Sequence, residues 1–420
     1  MRFIKHHSAL SCMVAALRQN QPLARLAALA MIGFSATIPP KAADWPGWRG
    51  PSRNGISTET RLNWTWPSTG PKALWGSSVG KGYSSLAVAA GRVYTMGNSN
   101  NVDTILCLDA GSGQVIWKHS YDCPLDPLSY EGGPSSTPAV DHHRLYTLSK
   151  SGHLFCLDTE NGSVIWTRKF EAPPATPADY KVWWGFAGSP LVTSNHLVLA
   201  IGAAGLALDK QTGKTIWDNG PGRPGYSSPL PFQIGDQSGY LFLSGHELVG
   251  TDAPTGKVLW KIPWRTTWDQ NAPDAIVADG KLFVATGHGV GCALFDLASG
   301  SPTQLWRNKN LRPELSTGVL WQNHIFGFDQ KRLTCIDLKT GEKKWTVEDT
   351  SQGSLILADS KLIVLQETGE LLVAQANPEA YQPLAKAKIL EGRCWSTPTL
   401  AAGHLYARSA LGDLVCLDLN

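Results

Sequence analysis

Residues 109–117 read Asp109-Ala110-Gly111-Ser112-Gly113-Gln114-Val115-Ile116-Trp117. The same phrase, Asp-x-x-Ser/Thr/Asn-Gly-x-x-x-Trp, returns at Asp158…Asn161-Gly162…Trp166 and Asp209…Thr212-Gly213…Trp217. It recurs again at Asp252…Thr255-Gly256…Trp260 and Asp337…Thr340-Gly341…Trp345. A sixth copy, Asp296…Ser299-Gly300…Trp306, carries two extra residues before its Trp. Counted from Trp75, successive Trp residues lie 42, 49, 51, 43, 46 and 39 apart. A period in the low-to-mid forties with turn residues at fixed offsets predicts the blades of a β-propeller. Each part of the phrase has a physical task. The Asp can accept backbone N–H groups two residues on and pin a turn, the Gly permits a positive φ, the β-branched or aliphatic residues that follow start a strand, and the Trp offers a flat surface where two sheets stack.

Working outward, a Ser-Ser/Thr-Pro phrase marks the first strand of each unit, at Ser135-Ser136-Thr137-Pro138, Ser189-Pro190, Ser227-Ser228-Pro229 and Ser396-Thr397-Pro398. Variants begin near Asp274, Ser316 and Ser354, and Ser84-Ser85 completes eight starts. In the first unit the strands are expected near 85–89, 93–96 and 105–109 and in a fourth ending at Trp117, with 97–103 a polar, solvated loop. The last unit stops at Asn420 before any fourth strand, while Trp75 ends a strand with no unit of its own. Residues 66–75 are therefore expected to complete the blade made by 393–420, leaving no free sheet edge. The seventh unit departs from the pattern: Gln375 replaces the Asp, and an outer strand without Trp is expected near 388–390. The prediction is an all-β, eight-bladed propeller of four-stranded antiparallel blades over 66–420, with seven blades as the alternative count. Residues 44–65 form a Pro- and Gly-rich strap, with Trp45 and Trp48 anchored against the first blades.

The 420 residues carry a formal charge of +3. Residues 1–43 hold Arg2, Lys5, Arg18, Arg25 and Lys41 and no acid, so the remainder is −2. That removes the case for a nucleic-acid partner built on overall charge. The basic start and the apolar run 26–38 have the layout of a secretory leader, too short for a membrane span, so an exported chain, periplasmic or extracellular and monomeric, is expected. Of the eight cysteines, Cys107, Cys156, Cys335 and Cys416 occupy one repeat position and read as small core residues. There is no Cys-x-x-Cys, zinc-protease helix, nucleophile elbow or phosphate loop. His153, His246 and His288 lie in equivalent loops around a wide ring, and no metal site is expected from them.

The repeat is similar to the tryptophan-docking repeat of pyrroloquinoline quinone (PQQ)-type eight-bladed propellers. More closely, 44–420 resembles bacterial PQQ-like propeller-repeat proteins, some described as polyvinyl alcohol dehydrogenase-like, and the outer-membrane-protein assembly propeller. The residues carrying this are Trp48-Arg49-Gly50-Pro51, Trp184-Gly185-Phe186-Ala187-Gly188-Ser189-Pro190, Gly225-Tyr226-Ser227-Ser228-Pro229, Ala376-Asn377-Pro378-Glu379-Ala380-Tyr381 and Arg393-Cys394-Trp395. The resemblance implies two functions: a binding scaffold, or a dehydrogenase holding PQQ beside an adjacent cysteine pair and a calcium ion. This chain has no adjacent cysteine pair, and no catalytic residue is carried over from that family.

Binding is expected on the face where loops enter the first strand of each blade. These loops hold Tyr83, Tyr130, Glu131, Trp183, Trp184, Tyr226, Trp268, Asp269, Glu314, Arg393 and Trp395. The longest connectors are 121–134 and 169–188, and long loops on a rigid scaffold are where ligands usually bind. Trp183, Trp184 and Trp268 are expected around one channel mouth. The function expected is non-catalytic binding of a protein, small-molecule or polymer ligand at this funnel without a cofactor, with a PQQ- and calcium-dependent oxidoreductase as the alternative.

Overall fold

A computed structural model describes residues 43–127, 130–171 and 183–420. The expected leader thus lies outside the described residues, except for its last residue, as do parts of the two long connectors. Eight four-stranded antiparallel sheets follow one another, at 87–122, 139–169, 191–218, 230–263, 276–308, 319–347 and 353–388, and finally at 399–418 with Ala73–Ser78. Ala73–Ser78 pairs with Asp413–Asp418, Trp75 standing opposite Cys416. The ring therefore closes by an N-terminal strand, a few residues later in the chain than 66–75.

The repeat phrase acts as its chemistry demands. Asp109 Oδ1 accepts the N–H groups of Gly111 and Ser112 and the Ser112 hydroxyl, at 3.1, 2.8 and 2.8 Å. Gly113 then turns with φ +71°. The same glycine has a second task, because an added Cβ would lie 2.4 Å from the Trp75 ring of the preceding blade. Gly162 stands likewise on Trp117 and Gly213 on Trp166. Each such indole also donates to a carbonyl in the next blade's turn: Trp75 to Ala110 and Trp117 to Thr159 at 2.9 Å, Trp166 to Lys210 at 3.2 Å, and Trp217 to Ala253 at 3.0 Å. Trp306 and Trp345 do the same towards Leu338 and Asn377. Trp260 is the exception. It faces the blade whose turn carries the two-residue insertion, its buried N–H finds no acceptor, and Gly300 has nothing within 4 Å. The repeat cysteines are fully buried and free.

Three local expectations need correction. The 97–103 segment is not a solvated loop. Strands Arg92–Ser99 and Val102–Asp109 run to a two-residue turn at Asn100-Asn101, both at positive φ, and Asn98 donates to Asp103 at 2.6 Å in the interior. The fourth strand does not end at Trp117 but runs to Asp122. The seventh blade's outer strand is Gln382–Lys388, not 388–390, with Ala385 opposite Val373 where other blades place Trp.

The strap is more than an anchor to the first blades. Trp45 bridges Val88, and Pro46 accepts Val140 N–H at 2.7 Å. Trp48 instead reaches blade five, donating to Asp274 Oδ2 at 2.6 Å. Arg49 donates to the carbonyls of Thr317 and Gly318, and Arg53 to those of Ser189 and Pro190. Leu357 exchanges hydrogen bonds with Gly55 and Ser57. Glu59 accepts Gly403 N–H at 2.6 Å, so one short segment ties blades one, two, three, five, six, seven and eight.

Candidate functional site

The innermost strands are stitched together two residues before each begins. Ser85 N–H donates to Thr137 Oγ1 at 3.2 Å, Thr137 N–H to Ser189 Oγ at 2.9 Å, and Ser189 N–H to Ser228 Oγ at 3.0 Å. Ser228 N–H donates to Asp274 Oδ1 and Asp274 N–H to Thr317 Oγ1, both at 2.7 Å. The Ser/Thr of the strand-start phrase is thus an inter-blade acceptor. In blade five a carboxylate takes that place, 5% exposed. Burial raises the Asp274 carboxyl above the usual range against the opposing pull of Arg49, the Trp48 N–H and Ser228 N–H. Burial likewise pushes Arg49 down to about 10. Both Asp274 oxygens accept N–H donors, from Trp48 and from Ser228. Its task is to hold the strap.

Above this floor opens a cavity of about 190 Å³, with Trp48 beneath it and Tyr83, Tyr130, Trp183, Trp184, Tyr226, Glu314 and Trp395 around it. Asp126, Lys150, Gln270 and Asp274 are its other ionisable or amide side chains. The rings form a continuous arc. Tyr83 stacks on Trp395 with centroids 5.6 Å apart, and Tyr130 meets Trp395 edge-on at 4.7 Å. Tyr130 approaches Trp184 at 6.3 Å, and Trp184 meets Tyr226 edge-on at 5.6 Å. Such offset and T-shaped contacts are the favoured aromatic geometries. The arc draws on the connectors before blades eight, one, two, three and four.

Glu131 and Arg393 do not line the cavity but lock the arc from behind. Glu131 accepts the Tyr83 hydroxyl and, at 2.7 Å, Arg393. The Arg393 Cζ lies 4.6 Å from the Trp395 centroid and 5.3 Å from that of Tyr130. Burial alone would raise the Glu131 carboxyl, but Tyr83 and Arg393 outweigh it and hold it below the usual range. Tyr83 is pushed up by burial and by Glu131. The Tyr226 hydroxyl, raised to about 12 by burial, accepts Trp183 N–H at 3.1 Å.

Trp268 and Asp269 stand apart from this group. Trp268 is 64% exposed and does not line the cavity. Asp269 is buried among Arg265, Arg223 and His246 at 2.6, 2.7 and 3.3 Å, and these partners outweigh its desolvation and lower its carboxyl. The structure thus brings Trp183 and Trp184 to one cavity and leaves Trp268 outside it. Trp48 and Asp274 are the site residues that sequence reasoning placed elsewhere. The available signal was the departure of Asp274 from Ser/Thr at the strand-start position.

The family described as outer membrane protein assembly factor BamB matches residues 101–347, more than half the chain. The chain belongs to this family. Comparison with curated proteins finds no match. Among solved structures, BamB from Moraxella catarrhalis aligns with a TM-score of 0.60 at 16% identity, over 83% of this chain and 97% of that one. Quinohemoprotein alcohol dehydrogenase from Comamonas testosteroni aligns with a TM-score of 0.62 at 12% identity, over 89% and 80%. A europium-containing methanol dehydrogenase gives 0.64 at 12%, over 87% and 90%. At these identities the likeness is one of fold, the PQQ-like propeller, and that fold serves more than one function within it.

PQQ is a tricarboxylate, so its fit to the cavity is a question of donors and charge. The lining holds three carboxylates, Asp126, Asp274 and Glu314, against the single cation Lys150. That cation already faces Asp126 at 3.4 Å. Among the described residues no three His, Cys, Asp or Glu side chains gather to hold a metal ion, and the described cysteines are all free. This lining does not fit PQQ with calcium.

Proposed function

We propose that the protein is an exported, non-catalytic binding or scaffold propeller that engages its ligand or partner through the funnel face. The observation that carries this reading is the aromatic arc over a cavity floored by the strap. Aromatic side chains lining a recess are what binding hot spots are made of, whereas Asp126, Lys150 and Asp274 beside them are paired or used as structural acceptors. Membership of the BamB family and the fold shared with BamB support a protein partner. The periplasm or the outside of the cell is the proposed location, and no helix among the described residues is long and apolar enough to cross a membrane.

The test is a pull-down from the native cell envelope with the purified protein, repeated with a Tyr130→Ala, Trp184→Ala double variant. With circular dichroism as the folding control, the variant is expected to bind the recovered partner at least about tenfold more weakly, the loss of roughly 1.4 kcal/mol. Unchanged binding by the folded variant would move the interface to the outer blade edges. Saturable PQQ binding with calcium and alcohol-dependent dye reduction would overturn the non-catalytic reading.

A further inference from the structure

We propose that the cavity is a receptor for a small organic monocation of the quaternary ammonium or guanidinium class. This rests on the cavity being the protein's binding site and adds what it binds. The charge around the cavity points that way. Asp126 is matched by Lys150 at 3.4 Å, and both oxygens of Asp274 are held by Trp48 and Ser228. Glu314 is the remaining carboxylate, and among the described residues it has neither a hydrogen bond nor an ion pair. It enters from the connector before blade six, and in a ring of eight that blade stands opposite blade two, whose connector supplies Tyr130 at the middle of the aromatic arc. One unmatched negative charge thus shares the cavity with the aromatic arc. A delocalised or alkylated cation gains from both, through the ring quadrupole and through the carboxylate. A neutral ligand gains only the rings, and an anion is opposed by Glu314.

The protein already uses part of the same arc in this way. The Arg393 guanidinium lies over Tyr130 and Trp395. The position of Glu314 is also constrained: a Cβ added to Gly287 would lie 2.8 Å from its Cγ, so only a glycine there leaves room for it. The volume of about 190 Å³ is below the ~300–1,000 Å³ of pockets for drug-sized molecules, and suits one compact head group. A free cation and the cationic side chain of a polypeptide share this chemistry.

The test is titration of the purified protein by tryptophan fluorescence and calorimetry with choline, its neutral isostere 3,3-dimethyl-1-butanol, N-acetyl-arginine amide and glucose. Saturable binding of choline or the arginine derivative is expected, at least about tenfold tighter than the isostere or glucose. The tighter of the two cations identifies the source. Glu314→Gln, a change at a side chain with no partner to lose, is expected to erase most of that discrimination while leaving the melting temperature unchanged. Equal binding of choline and its isostere, preference for glucose, unchanged discrimination in the Glu314→Gln variant, or no saturable response to either cation up to about 100 mM would each overturn the proposal. If no cation binds while the envelope partner is still lost in the Tyr130/Trp184 variant, this proposal fails and the funnel reading stands. The opposite pair of results sinks the funnel reading alone.

Discussion

At the scale of single residues, Asp274 shows how one substitution in a repeat can reorganise a molecule. Its neighbours in the inter-blade stitch are hydroxyls, Ser228 before it and Thr317 after it. A serine at 274 could still accept Ser228 N–H. It could not hold the Trp48 indole or balance Arg49, which is 3% exposed. Asp274→Ser is therefore expected to destabilise the protein by about 2–4 kcal/mol, the range for leaving a buried donor unmet beside an uncompensated charge. Denaturant melts should show the midpoint falling at constant slope, and a loss below about 1 kcal/mol would mean that the strap does not depend on this carboxylate. Glu131 gives a pH signature. Its folded pKa lies below the unfolded value near ~4.3, so the stability it contributes is present above that value and lost as pH falls through the folded one. The melting temperature of the Glu131→Gln variant is expected to vary less between about pH 5 and pH 3 than that of the parent protein, and parallel curves would show that the Tyr83–Glu131–Arg393 group does not contribute to folding.

At the scale of elements, the seam between blades repeats one contact with one flaw, and the flaw makes it testable. Trp117 fills its seam, 8% exposed, and donates to Thr159. Trp260 is equally buried but donates to nothing. Trp117→Phe should cost about 1–3 kcal/mol, since it loses the indole hydrogen bond as well as area, although Arg92 still donates to the Thr159 carbonyl. Trp260→Phe should cost distinctly less, because it removes a desolvated, unpaired N–H. Equal losses in urea melts would assign the seam to ring area alone. This seam was legible in the sequence because all of its parts are local: the Asp, the Gly and the Trp lie within nine residues in the regular copies. The hairpin at 97–103 was misread because Asn and Asp resemble a solvated loop in composition, whereas Asn98 and Asp103 satisfy each other in the interior. The aromatic members of the site could be placed on one face from loop position. Their arc could not, since it depends on ring distances among five separate connectors. Trp268 illustrates the limit, because its neighbour Asp269 is drawn into a cluster with Arg223, Arg265 and His246 that no spacing announces.

At the scale of the whole molecule, two devices hold the ring shut, and they are separable. The strap bonds to seven blades, with Trp48 to Asp274 linking residues 226 apart in sequence. The closing strand Ala73–Ser78 covers the edge of blade eight. Beside that strand, Arg408 of blade eight is buried, with its guanidinium donating to the carbonyls of Gly80, Ser84 and Met96 across the seam to blade one. Burial lowers its pKa to about 10. Removing residues 44–62 takes away the channel floor but leaves every blade four strands. That truncation is expected to melt earlier, with a single transition, and to lose whatever the cavity binds. Removing residues 44–78 also strips Asp413–Asp418 of its partner and leaves a row of unpaired N–H and C=O groups, a template for another chain. This longer truncation is expected to self-associate, visible as dimers or larger species in size-exclusion chromatography with light scattering, while the shorter one stays at the parent's size. A shorter truncation with an unchanged melting temperature would show that the strap adds nothing to the ring. A longer one that remains the parent's size and melts like it would show that blade eight does not need its borrowed strand.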